Sequence, residues 1–251
     1  MVSSDSEAEE GSATSVPSAT SVPVPDSSDN STGKRRRLLV LHLFSGPADR
    51  EDGLAAYLKA AKIDTVECDI VNIHLSDQDI LDDAVWGRIR TRLLAGEFVF
   101  PFAGPPCRTF SESRSAGPGP PVLRDKDFPY GYPKSQRRRE LQPHHYEQIR
   151  MDNLLAERTA EACHIMHSPA TGYAVEQPTP FKGAVTMFEF KSFMDLIGMG
   201  ADFVYFDHCM HGALSRKPTT ILFWGNGKFS SLAARCDHPK VLQTNKDGSS
   251  F

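Results

Sequence analysis

From residue 38 onwards, short apolar runs alternate with stretches whose apolar residues recur at helical spacing, and this alternation constrains the fold more than any other feature. LLVLHLF at 38–44 predicts a buried strand, and Leu54, Tyr57, Leu58 and Ala61 follow with the spacing of one helical face. Further strands are expected at 65–69, 98–103, 173–176, 203–206 and 220–224, with helices at about 79–94, 147–167 and 188–197. Regular alternation of this kind implies an α/β fold, a mainly parallel sheet with helices on both faces. In such sheets ligands bind at the carboxyl ends of the strands, so the residues just after each strand are the ones to inspect.

Residues 1–37 differ in kind. They are rich in serine and proline, repeat SATSVP at 12–17 and 18–23, and end in the basic run Lys34, Arg35, Arg36, Arg37. Too few apolar side chains are present to offset the entropy of ordering, so an acidic disordered tail is expected ahead of a domain at 38–251. The basic run suits either nuclear import or phosphate contact, or equally a solvated lead-in to the first strand. The chain's net charge of −4 averages unlike parts. Residues 1–33 carry six acids and no base, which leaves 28 bases against 26 acids, a net of +2, in the remainder. A general polyelectrolyte grip on nucleic acid is therefore not expected, and contact must come from local basic clusters. No apolar run approaches the roughly 18 residues of a membrane span, so no membrane partner is expected. The start lacks a secretory pattern and the five cysteines lack paired close spacing, which together predict a nuclear or cytoplasmic rather than secreted protein.

Four strand ends carry chemistry. The first runs into Phe44, Ser45 and Gly46, where a glycine lets the backbone approach a ligand. The second ends in Glu67, Cys68 and Asp69, where an acid can accept hydrogen bonds from ribose hydroxyls; the plain alternative is a solvated strand end. The third runs into Gly104, Pro105, Pro106, Cys107, Arg108, Thr109, Phe110 and Ser111. Two prolines fix the backbone ahead of the thiol, and Arg108 and Arg114 predict an accessible cysteine of lowered pKa, although a stray cysteine is more often a buried filler. The fourth holds Val175, Glu176, Gln177 and Pro178. The topology brings Glu176 to the same edge as Cys107.

With these elements in this order the chain resembles the cytosine-5 DNA methyltransferase superfamily, closest to the truncated methyltransferase-like proteins of mobile elements and viruses. The match rests on LHLFSG at 41–46, VECD at 66–69, GPPCRTFS at 104–111, VEQP at 175–178 and HGALSRKPTTILFWG at 211–225. It implies a Rossmann-like S-adenosylmethionine-dependent methyltransferase, with DNA as the nucleic-acid partner and RNA as a variant. Cys107 would then add to carbon 6 of cytosine, Glu176 would bond ring nitrogen 3 and the exocyclic amine, and Arg216 would support that pocket or the phosphate. For the cofactor, the resemblance places Phe44 against the adenine, Ser45 and Gly46 near the methionine end, Glu67 on the ribose, Asp79 or Asp77 on the adenine amine, and Pro106 in the same site. The sequence departs from the family at PADREDG after Gly46, at Gln177 in place of asparagine, and at Pro218 in place of a second arginine. Only 26 residues follow Gly225, so no separate target-recognition domain is expected, and a protein partner could supply recognition. The alternative from another class is a catalytically silent relative that binds nucleic acid or a partner.

Two expectations lie outside the family pattern. The proline-rich stretch 104–143 reads as a long loop whose Arg124, Lys126, Lys134, Arg137, Arg138 and Arg139 could contact phosphates, or could simply be solvated. Cys209 with His211 and Cys236 with His238 form two CxH pairs separated by 24 residues, a donor set for closed tetrahedral zinc. Against it, CxH is tighter than the usual ligand spacings, and buried cysteines with surface histidines are the plain alternative.

Overall fold

Strand β1 (Leu39–Leu43) is buried from Val40 onwards, as its unbroken apolar run around His42 requires of a strand covered on both faces. It pairs in parallel with β2 (Asp64–Cys68) on one side and β3 (Phe100–Ala103) on the other. The sheet continues from β3 to β4 (Tyr173–Pro178), and adds the edge strand β5 (Asp202–Asp207) and β6 (Pro218–Trp224) in the order β2-β1-β3-β4-β6-β5. These elements are those of a computed structural model, which describes residues 38–47, 50–51, 53–68, 78–110, 120–135, 141–180 and 184–238. The expected tail and basic run at 1–37 lie outside the described residues, as do Asp69, Asp77, Arg114, Arg137, Arg138 and Arg139.

The sheet is parallel except for β6, which runs antiparallel to both β4 and β5. The cause is the connection. Only residues 208–217 separate β5 from β6, fewer than the dozen or so that a parallel crossover needs, so the chain turns straight back. Pro218, which cannot donate to a ladder, occupies the first position of β6.

Helices α1 (Leu54–Ala60), α2 (Asp83–Leu94), α3 (Pro143–Ile165) and α4 (Lys191–Gly198) complete the described elements of regular length. Trp86, Ile89 and Leu93 of α2, Leu155 and Ala160 of α3, and Phe193 and Leu196 of α4 join Leu41, Leu43, Val175 and Leu222 in the main core. The alternate side chains of the sheet, including Ala174, Val204, Phe206 and Ile221, form a second core against Phe229 and Leu232. That face is therefore covered near β5 and β6 by a 3-10 turn, Phe229–Leu232, rather than by an α-helix. The crossovers from β1 to β2 and from β2 back to β3 run in opposite directions, and right-handedness puts α1 and α2 on opposite faces.

Several boundaries differ from the sequence expectation: β2 ends at 68 rather than 69, α2 starts at 83 rather than 79, β3 at 100 rather than 98 and β6 at 218 rather than 220. Helix α3 begins at Pro143 rather than at 147, because Pro143 supplies the first helical position and Gln142 and His145 cap one another, with the Gln142 N–H donating to His145 Nδ1 at 2.9 Å. Part of the stretch read as a long loop has a core of its own: Leu123, Tyr132 and Leu141 pack on Ile149 of α3. Gly131 makes this possible. It holds φ +96°, and a Cβ there would lie 2.5 Å from Ile149 Cγ2.

Because the chain leaves β1 toward β2 and later returns on the other side as β3, a topological switch point lies at the carboxyl ends of β1 and β3. The turns after β1, β3 and β4 all open there.

Candidate active site

The turn after β3 is fastened from three directions. Gly104 N–H donates to Leu43 O of β1 at 3.4 Å, and the Phe110 N–H closes a turn on Cys107 O at 2.9 Å. From β4, the buried Gln177 donates through Nε2 to Pro105 O at 2.7 Å. From α3, Asp152, whose side chain is fully buried, accepts from Thr109 Oγ1 at 2.6 Å and pairs with Arg108 at 3.0 Å. A rigid proline pair and these anchors hold Cys107 half-buried at the sheet edge.

Glu176 stands at the neighbouring strand end. Its Oε1 accepts from Lys217 Nζ at 3.0 Å, and its Oε2 lies so close to Gly104 that a Cβ on that glycine would sit 3.4 Å away. Cys107, Phe110, Gln177, Thr186, Arg216 and Lys217 are among the residues lining a cavity of about 260 Å³. Sequence reasoning passed over Lys217 in favour of its neighbour. The signal was the RKP at 216–218, in which the residue just before β6 has a stem long enough to reach back to Glu176. Arg216 lines the same cavity, but its Nε donates to the buried Asp207 at 3.1 Å, so its bonded partner is β5 and not Glu176.

The expected lowering of the Cys107 pKa is not found; the thiol is pushed up from its ordinary value. Burial is the largest cause, and the negative charges of Glu176 and Asp152 add to it, against a backbone hydrogen bond and the positive charge of Lys217. Arg108 does not offset this because its guanidinium is bonded to Asp152.

Arg124 is also not a phosphate contact. It is buried, donating to Pro129 O at 2.9 Å, Asn153 Oδ1 at 2.7 Å and Thr109 Oγ1 at 3.0 Å, with its guanidinium 4.0 Å from the centroid of the Phe110 ring. It braces the Cys107 turn from beneath. Lys126 and Lys134 are exposed, as the loop reading expected.

Of the residues assigned to a cofactor, Phe44, Ser45, Gly46, Glu67 and Pro106 lie at or just after the ends of β1, β2 and β3 without sharing a described cavity. Phe44 holds φ +65° and packs partly into the main core; Gly46 holds φ +73°, and a Cβ there would meet nothing closer than 3.9 Å. Ser45 Oγ donates to Gly46 O at 3.3 Å. Glu67 lines a second cavity of about 440 Å³ together with Arg50, Glu51 and Lys59, and burial pushes its carboxyl up. Asp79 accepts from Leu81 N–H at 2.9 Å in the turn before α2. Phe44, Ser45, Gly46, Asp79 and Pro106 line neither of these cavities.

Of the four expected zinc ligands, the fold gathers Cys209, Cys236 and His238, whose ligand atoms all lie within 4.8 Å of one another. His211 is turned away, with its Nε2 2.9 Å from Leu232 O and its ring edge-on to Phe206. The tight CxH spacing explains why the first pair separates: both of its residues lie in one 3-10 turn, Cys209 and His211 being two positions apart there rather than in a strand.

No family model matches the chain, and no curated protein does. The structure is similar to that of the S. pombe Dnmt2 methyltransferase. That similarity has a TM-score of 0.38 at 12% sequence identity and covers 75% of this chain. It covers 52% of the Dnmt2 chain, so this protein spans about half the length of that neighbour.

Proposed function

We propose that the protein is an S-adenosylmethionine-dependent methyltransferase acting on carbon 5 of cytosine in DNA, with RNA as the alternative substrate. The observation that carries this reading is the fastening of Cys107 and Glu176 at adjacent strand ends, through Gln177 to Pro105 O and Glu176 against Gly104, beside a cavity lined by Cys107. At about 260 Å³ the cavity lies just below the roughly 300–1,000 Å³ of pockets for drug-sized ligands, a size that suits one planar base. A base inside a duplex must leave the stack to enter it, which favours single-stranded or easily opened sites.

Carbon 5 of cytosine is too electron-poor to accept a methyl group directly. The Cys107 thiol loses its proton to water, and the thiolate adds to carbon 6, turning the ring into an enamine with electron density on carbon 5. As the thiolate adds, nitrogen 3 takes up a proton from water through the Glu176 carboxyl group, which neutralises the charge developing on the ring, while the exocyclic amine donates to the same group and Lys217 holds it in place. After methylation, water takes the carbon 5 proton, the thiolate leaves carbon 6, and nitrogen 3 returns its proton through Glu176, which restores the aromatic ring and the free cysteine. The donor set at the switch point fits the cofactor: Gly46 leaves open space beside the β1 exit, and the Glu67 carboxylate at the end of β2 suits ribose hydroxyls. S-adenosylmethionine, when bound, supplies an electrophilic methyl group there.

The raised Cys107 pKa favours a second reading, a silent methyltransferase-like protein that binds nucleic acid or a partner. One experiment separates them. Labelled methyl transfer from S-adenosylmethionine is measured on cytosine-containing duplex DNA, single-stranded DNA and RNA, alongside covalent trapping on 5-fluorocytosine. Transfer and a trapped adduct that Cys107→Ser eliminates support the first reading; binding without either on all three substrates overturns it.

A further inference from the structure

We infer that Cys209, Cys236 and His238 form a three-ligand zinc site that fastens the C-terminal segment to the end of β5 and is independent of the methyltransferase reading. Cys209 enters from the 3-10 turn His208–His211 that directly follows β5. Cys236 and His238 enter from the segment that returns after the turn Phe229–Leu232. Asp207 draws the two together: its N–H donates to Ala234 O at 2.8 Å, and its Oδ2 accepts from Cys236 N–H at 2.8 Å.

The geometry is close to that of a loaded site. Zn–S of about 2.3 Å and Zn–N of about 2.0 Å at the tetrahedral angle put a sulfur and a nitrogen ligand roughly 3.5 Å apart, and two sulfurs roughly 3.8 Å apart. Cys236 Sγ and His238 Nδ1 are 3.4 Å apart, and all three ligand atoms fall within 4.8 Å of each other. The spacing objection to a CxH pair therefore fails for Cys236 and His238 and stands for Cys209 and His211.

Two thiolates and an imidazole select a soft or borderline metal over calcium or magnesium, which take oxygen ligands. Binding displaces the thiol protons of Cys209 and Cys236 to solvent, and two thiolates balance the dication. Three protein ligands leave a fourth position, which water fills. Asp207 serves as the outer support, since its carboxylate holds the Cys236 backbone on one oxygen and Arg216 on the other. The metal thus anchors the start of the connection 208–217, whose far end carries Arg216 and Lys217 to the Cys107 cavity and is tied back to that start by the His208 N–H donating to Lys217 O at 3.2 Å.

The test uses the full chain, expressed without a histidine tag and purified under reducing conditions. Elemental analysis is expected to find one equivalent of zinc, and cobalt substitution of the wild type to give tetrahedral d–d bands with thiolate charge transfer. Cys209→Ser and Cys236→Ser should weaken the metal by at least tenfold, as should His238→Ala, whereas His211→Ala should leave affinity unchanged. Less than about a tenth of an equivalent, with no fall in Tm on chelation, overturns the inference. So does equal metal loss in His211→Ala, or a cobalt spectrum lacking thiolate bands. A Cys209–Cys236 disulfide in the freshly reduced and desalted chain, seen as loss of two hydrogens by intact mass, also overturns it.

Discussion

The Cys107 thiol is flanked by charges of both signs, and their effects on its ionisation can be separated one side chain at a time. Because burial and Glu176 hold its pKa up while Lys217 holds it down, the thiolate fraction should rise only above the pH at which an ordinary cysteine ionises. Iodoacetamide labelling of Cys107, read by peptide mass spectrometry across a pH series, should therefore show a midpoint above about 8.5. Glu176→Gln should move that midpoint down and Lys217→Ala should move it up; opposite directions would refute the arrangement of charges. Cys107→Ser should remove turnover while leaving unfolding stability within about 0.5 kcal/mol of the wild type, since only a half-buried sulfur is exchanged. Gln177→Ala would cost more stability, about 1–3 kcal/mol by urea unfolding, because its removal strands the buried Pro105 carbonyl. The sequence made Cys107 and Glu176 visible because each follows a strand with distinctive neighbours. It hid Asp152, Lys217 and the true position of Arg124, because these act through partners 15 to 44 residues away.

At the level of elements, the segment 120–135 and helix α3 together form the floor beneath the Cys107 turn. Asp152 of α3 is the joint, with both carboxylate oxygens engaged by that turn. Asp152→Ala should cost about 3 kcal/mol, at the lower end for a broken buried pair because Arg108 retains access to water. Circular dichroism melts would measure the loss, and Cys107 labelling should become faster as the turn loosens. Gly131→Ala should destabilise the segment through both its left-handed backbone and the clash with Ile149. Most strands were legible because buried parallel strands are short apolar runs between turn residues. The start of α3 was not, because its cap pairs Gln142 with a histidine instead of the usual serine and glutamate. The small core that 120–135 shares with Leu141 and α3 was not either, since Leu123, Tyr132 and Leu141 follow neither a period of two nor one of 3.6.

Across the whole molecule, residues 34–251 are nearly balanced in charge, and among the described residues the basic groups beside the cavity are paired: Arg108 with Asp152, Arg216 with Asp207 and Lys217 with Glu176. Nucleic-acid binding should therefore depend weakly on salt. Anisotropy titrations of a single-stranded cytosine oligonucleotide should give a log–log slope no steeper than about −2, since each neutralised phosphate of a single strand contributes about −0.7. A slope near −5 would mean that a larger basic surface is engaged. The reversed strand β6 carries a kinetic consequence. It lies between β4 and β5 and is synthesised after the other described strands, so β4 keeps one hydrogen-bonding edge open until β5 and β6 have paired with each other. Their ten-residue connection favours early local pairing, after which the hairpin docks as a unit. A nascent chain stalled before Pro218 would present β4 as an unpaired apolar edge, the feature most prone to joining another chain.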